Sequence, residues 1–171
     1  MLNLIYHEDP LLTKVSSEVE VFDDSLKQFV NEMFETMDSF DGVGLAAIQV
    51  GKPLRLFVVD SRKDGERLVF INPEIISTSD DNVPYNEGCL SLPGIYRDIN
   101  RPSEVTVIAK DINGKSFKLQ TDGLLARIIQ HENDHLNGKV FISHLSKEEE
   151  QKADAEFRKK NKKLLKSLKR I

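Results

Sequence analysis

His131 and His135 stand four residues apart, with Glu132 beside the first, in the run Gln130 to Gly138. Residues four apart on a helix point the same way, so the two imidazoles can hold one metal ion between them. Glu132 is turned by about 100° from His131, where its carboxylate can reach a metal-bound water without being forced to ligate. Two histidines need a third ligand, and a catalytic zinc-like site also keeps a fourth position open. His7, His144 and Cys89 are the candidates. Only Cys89 has a context suited to ligation, being the sole thiol and lying between Gly88 and Leu90 in a Pro/Gly-bounded segment. A thiolate with two neutral imidazoles leaves a bound water nucleophilic once deprotonated, and Glu132 is the natural acceptor of its proton. A capped surface helix, or two satisfied core histidines, would show the same pattern.

The elements that must position these groups follow from periodicity. Thr121 or Asp122 can cap a helix through His135, and Gly138 is placed to end it. Leu124, Ile128 and Leu136 fall on or beside the histidine face, which predicts a central, largely buried helix. An extended arm over residues 1–15 is broken by Asp9-Pro10. Leu26, Phe29, Val30, Met33, Phe34 and Met37 then recur at helical spacing as a core-facing stripe. Leu54 to Asp60 and Leu68 to Pro73 are strands about an Asp64-Gly65 turn, with residues 74–79 extending the second. The clearest hairpin pairs Val105 to Ala109 with Lys115 to Gln120 about Asn113-Gly114 and leads directly into the histidine helix.

Ser146 stands three residues before Glu149, a capping box that opens a long C-terminal helix. From residue 152 to 170 that segment carries nine Lys or Arg against Asp154 and Glu156. The expected class is therefore α+β: antiparallel sheets packed around a central helix carrying the H-E-x-x-H motif, with a long C-terminal helix. One catalytic domain over 1–171 is expected, with 146–171 forming the basic helix.

With 171 residues, 39% hydrophobic and 30% charged, the chain suits one soluble core. A net charge of -4 disfavours a nucleic-acid-binding body, and one cysteine excludes an internal disulfide. No stretch approaches the roughly 20 apolar residues of a membrane span, and the start lacks signal-peptide character, so a cytoplasmic location is expected.

Three segments, Gly42 to Gln49, Glu87 to Ser91 and His131 to His135, closely resemble the signature motifs of peptide deformylases, in order and at suitable separations, across residues 5–145. The resemblance implies Cys89, His131 and His135 as metal ligands and Glu132 as general acid/base. It implies removal of the formyl group from nascent polypeptides that begin with formylmethionine, with release of formate. It implies ferrous iron in the cell, with zinc, nickel or cobalt as substitutes, where softness alone would suggest zinc. Gln49 and the N–H of Leu90 would meet the oxyanion. An extended peptide would lie along Val43 and Gly44, with Gly88 on its other side. Val43, Tyr85, Leu124 and Ile128 would line the methionine slot, although Leu124 and Ile128 equally suit the core. Glu87 and Arg101 would pair beneath the cysteine loop.

Asn133 departs from a usually hydrophobic position of the family. Tyr96-Arg97 falls where some members contact the substrate backbone through an arginine. The C-terminal helix resembles the basic tail that some members place on the ribosome, which makes a transient ribosome contact the expected partner besides the nascent chain, with neither membrane nor DNA. Three other readings compete. Another metal-dependent amide hydrolase or metallopeptidase is disfavoured by the Cys89 loop and Gln49. A cysteine hydrolase using Cys89 would survive chelation. A catalytically silent ribosome-associated module with a structural metal would call for a fourth protein ligand.

Overall fold

A computed structural model describes residues 1–63 and 67–169. The expected turn at Asp64-Gly65 lies outside the described residues. The first helix, α1 (Asp24–Ser39), begins where the Asp23 carboxylate accepts the Leu26 amide at 3.0 Å, and it buries Leu26, Val30, Met33, Phe34 and Met37. Seven strands follow: β1 (Gly44–Ala46), β2 (Leu56–Asp60), β3 (Arg67–Thr78), β4 (Val83–Cys89), β5 (Leu92–Arg101), β6 (Glu104–Lys110) and β7 (Ser116–Asp122). Then come α2 (Gly123–Leu136), α3 (Lys147–Lys160) and α4 (Lys162–Leu168). Five strands form one antiparallel sheet in the order β1-β2-β3-β6-β7, and β4 and β5 form a separate two-stranded sheet.

Side-chain alternation decides what each face of the large sheet meets. Leu56, Val58 and Leu45 pack with the α1 stripe, whereas Phe57, Val59 and Ala46 pack with Ala126, Ile128 and Ile129 of α2. A strand covered on both sides must be apolar throughout, as β2 is until Asp60. The sheet β4-β5 rests on a third cluster, in which Leu92, Ile95 and Ile99 meet Phe141, Ile142, Ala153 and Phe157.

The expected α+β class holds, but the expected arrangement is corrected. The metal-ligating group is Cys89, His131 and His135, so the organising feature is not an H-E-x-x-H motif on a central helix but three ligands drawn from two elements. The sheet occupies the centre, with α1 and α2 on opposite faces. Nor is there a long C-terminal helix: it breaks at Asn161 (φ -107°, ψ 23°) into α3 and the short α4. Ser146 does open α3, accepting the Glu149 amide at 3.2 Å.

Pro73 is accommodated within β3 by an irregularity. Asn72 takes φ 50°, the pairing with β6 shifts between Ile71 and Glu74, and the Asn72 amide group bonds both the N–H and the C=O of Val19 at 2.8 and 2.9 Å. Gly114 (φ 80°) closes the turn of the β6-β7 hairpin, and β7 runs straight into α2, which starts without a side-chain cap from Asp122. Gly138 (φ 75°) follows that helix, and a Cβ there would lie 2.4 Å from the Thr13 carbonyl oxygen, so the N-terminal arm crosses the helix end only because this residue is glycine.

The arm itself is not wholly extended, since Pro10–Thr13 forms a 3-10 turn. Its backbone is tied inward, Ile5 N–H to the Gln49 carbonyl at 2.7 Å and His7 N–H to that of Ser91 at 2.8 Å. The His7 ring meets Asp154 of α3 at 2.5 Å and packs edge-on against Phe157, while Glu8 pairs with Arg158. Among the described residues no helix is long and apolar enough to cross a membrane.

Candidate active site

Strand β4 delivers Cys89 at its end, after a register shift between Glu87 and Cys89 that re-aims the last side chain. Helix α2 delivers His131 and His135. One ligand atom from each of the three falls within 4.8 Å of the others. His135 Nε2 lies 3.4 Å from Cys89 Sγ. Donors about 2.1 and 2.3 Å from one tetrahedral ion would stand about 3.6 Å apart, so this separation suits a shared metal. Burial alone would raise the Cys89 thiol, but the charge of His135 and hydrogen bonds with both histidines outweigh it and hold the thiol well below its ordinary value. His135 is completely buried, its Nδ1 has no partner, and the polar contact of its ring is that of Nε2 with Cys89 Sγ, as two ligands facing one ion would be placed. The donor set therefore fits one divalent transition-metal ion. His7 and His144, the other candidate ligands, are engaged elsewhere by Asp154 and Asp134.

Glu132 is buried beside this group, and its Oε2 has no hydrogen-bond partner. Burial pushes its pKa up to about 7, against the opposing pull of His131 and His135. Gly44 makes room for it. Gln49, on the 3-10 turn Ala47–Val50, accepts the Ala46 amide on Oε1 at 2.9 Å, which turns its NH2 toward Cys89 Sγ at 3.4 Å and Ser91 Oγ at 3.1 Å. The Ser91 hydroxyl donates to the Ile5 carbonyl at 2.7 Å and so must act as acceptor toward Gln49.

These groups line a cleft of ≈ 690 Å³. Val43, Gly44, Tyr85, Gly88, Leu90, Leu124 and Ile128 are on its walls together with Gln49, Cys89, His131 and Glu132. His135 stands behind the wall rather than on it.

A family model described as polypeptide deformylase matches residues 1–151. The chain belongs to that family. It is 48% identical over 163 residues to the peptide deformylase of Chromobacterium violaceum, covering 95% of this chain and 97% of the relative. With that of Brucella suis it shares 49% over 147 residues, 84% of each. The crystal structure of a peptide deformylase from Legionella pneumophila superposes with a TM-score of 0.91 at 42% identity, over 96% of this chain and 98% of that one. A metal-dependent hydrolase site on this deformylase is thus established by family and by the clustered ligands.

Beneath the deformylase ligands lies a polar network only partly visible in the sequence. Glu87 takes a two-point contact from Arg101, Nε to Oε2 at 2.7 Å and Nη2 to Oε1 at 3.0 Å, and accepts from His131 Nδ1 at 2.9 Å. Burial opposes its ionisation, but the His131 and Arg101 hydrogen bonds and the Arg101 charge prevail and hold Glu87 down to about 2. An ionised Glu87 can only accept, so His131 carries its proton on Nδ1 and presents Nε2 to the ion. Arg101 also reaches Asp134, which bonds His144.

Arg127 was missed by sequence reasoning. It is buried and donates to Glu87 Oε2 at 2.9 Å and to the Ile99 and Val83 carbonyls at 2.7 and 2.6 Å, clamping both strands of the small sheet to α2. An arginine flanked by Ala126 and Ile128 on the buried face was the available signal. Tyr6 and Phe40 on the cleft wall carried none, and Tyr96, also on the wall, was marked only as the neighbour of Arg97. Arg97 does not line the cleft, because Glu156 of α3 holds its Nη2 at 2.6 Å. Asn133 is partly buried with Oδ1 unpartnered.

Proposed function

We propose that this deformylase removes the formyl group from the N-terminal formylmethionine of nascent polypeptides, releasing formate, with Glu132 moving the protons. The observation that carries this reading is the partnerless Oε2 of buried Glu132 in the cleft shared with Cys89 and His131. Cys89, His131 and His135 would hold a divalent ion, which would supply Lewis acidity to the formyl oxygen and to a water. We assign ferrous iron in the cell, with zinc, nickel or cobalt as substitutes; the family resemblance carries that choice, since the donors suit zinc as well.

The protein's own groups do the rest. Glu132 takes a proton from the attacking water and returns it to the departing amine nitrogen, two roles that a pKa of about 7 serves. With the Gln49 oxygen committed to Ala46 and one N–H to Ser91, the N–H that faces Cys89 Sγ at 3.4 Å is the donor assigned to the oxygen where negative charge develops, and the Leu90 amide is assigned as the second. The peptide lies extended along the backbone of Val43 and Gly44 with Gly88 opposite, and its methionine enters the slot of Val43, Tyr85, Leu124 and Ile128. The chain acts as one catalytic unit in the cytoplasm. Exposed Lys162, Lys163, Lys166 and Lys169 on and beside α4 offer a transient contact to the ribosome, whose phosphates attract clustered positive charge.

Formate release from formyl-Met-Ala-Ser, measured with anaerobically purified protein, tests the reading. Wild type should turn over and lose activity on chelation. Glu132→Gln should lose turnover by roughly 10²-fold to 10⁴-fold while keeping its metal. A metal-loaded wild type that releases no formate would sink the assignment, and activity surviving chelation would favour Cys89 as a nucleophile.

A further inference from the structure

The end of α3 grips the cleft wall. Asn161, the residue at which the C-terminal helices break, donates from Nδ2 to the Pro93 carbonyl at 2.9 Å and to the Phe157 carbonyl at 3.0 Å. Lys160 Nζ donates to the next carbonyl, Gly94, at 3.1 Å, and a Cβ on Gly94 would stand 3.4 Å from its stem. Glu156 holds Lys160 at 2.7 Å and Arg97 at 2.6 Å. Three ties thus run from the end of one helix to residues 93, 94 and 97 at the start of β5. Pro93, Gly94 and Tyr96 are on the cleft wall. Tyr96 is 61% exposed, and its ring covers Gly88 so closely that a Cβ there would stand 2.5 Å from it. That ring thus lies against the residue that precedes Cys89.

We propose that Glu156, Lys160 and Asn161 are positioning residues for substrate: by fixing the carbonyls and the backbone direction of residues 93–97, they set the wall on which the peptide beyond its first residue lies. The inference rests on the deformylase reading for what occupies the cleft. It gives the Asn161 break a purpose, since a continuous helix would carry this side chain past Pro93. The competing account is that Leu92 and Ile95, buried against Phe157, anchor the strand unaided and leave the polar ties without effect.

The test uses full-length Asn161→Asp, which keeps the shape but sets a carboxylate oxygen against the Pro93 carbonyl, and Lys160→Met, which keeps the stem and removes the donor. Formyl-Met-Ala amide and formyl-Met-Ala-Ser-Val amide are compared. We expect kcat on both and KM on the short substrate to stay unchanged, with KM on the long one rising roughly threefold to tenfold. Asn161→Gln, which retains a donor, should recover part of the loss. Hydrogen exchange over residues 92–98 should quicken in Asn161→Asp. Unchanged exchange, or equal losses on both substrates, overturns the inference. Absence of formate from wild type would instead remove the deformylase reading, and the exchange result would still decide whether α3 holds the wall.

Discussion

Gly44 stands so close to Glu132 that a Cβ at this position would lie 2.6 Å from Oε1, and 2.8 Å from Cγ2 of Ile128. The carboxylate therefore reaches the cleft over a residue with no side chain. Gly44→Ala must displace Glu132 or Ile128. A displacement near 1 Å costs on the order of 10²-fold in turnover, so kcat for formate release should fall by that order while bound metal stays at wild-type content. Full activity in a folded alanine variant would show that Glu132 need not occupy this place.

Glu87 sets the tautomer of His131 and should tune how tightly the ion is held. Glu87→Gln keeps an acceptor but loses the charge that two arginines and a histidine share. Metal affinity, measured by competition with a chromogenic chelator, should drop roughly 10-fold to 100-fold. An unchanged affinity would mean that His131 is oriented by packing alone.

Arg127 bridges three partners out of water, and its removal takes donors from the Val83 and Ile99 carbonyls and a cation from Glu87. Arg127→Met should lower unfolding stability by about 3–5 kcal/mol, read from urea midpoints at constant m-value. Arg158, whose pairing with Glu8 is largely exposed, should give little measurable change when treated the same way. Equal effects from the two would contradict a clamping role for Arg127.

Glu156 lies between Lys160 and Arg97, whose hydrogen bonds hold it down to about 2 from an ordinary 4.5. A carboxylate with a depressed folded-state pKa contributes stability that is complete above the unfolded value and fades as pH falls through 4.5 toward 2. The α3-β5 tie should therefore be insensitive to pH between about 5 and 8 and weaken only in acid. A carboxyl NMR titration of Glu156 with its midpoint near the ordinary 4.5 would refute the pairing.

What could be foreseen in the sequence was local. The α1 stripe and the Asn113-Gly114 hairpin are fixed by periodicity and turn chemistry within a few residues. The cysteine and histidine motifs were joined by ligand chemistry and then by family resemblance, but nothing local in the sequence brings them together, because Cys89 and His131 meet through the docking of a hairpin on a helix. The same long-range docking hid Arg127. The C-terminal break was invisible for a different reason: Asn161 and Lys162 are acceptable helix residues, and the bond from Asn161 to the Pro93 carbonyl joins residues 68 apart and has no local signature. The histidine helix was expected at the centre because its face is apolar, but an apolar face reports burial without saying whether the cover is on one side or all around.

The contact of His7 and Glu8 with Asp154 and Arg158 has a temporal meaning. The arm that supplies Ile5 to Ser91 precedes every other element of the site in the chain, and the helix that secures it follows them all. Folding therefore cannot finish vectorially, one layer behind another as translation proceeds. Cys89, His131, His135 and Glu132 all come earlier in the chain than the helix that closes over the arm behind Gln49, so that closure is the last contact this region can make.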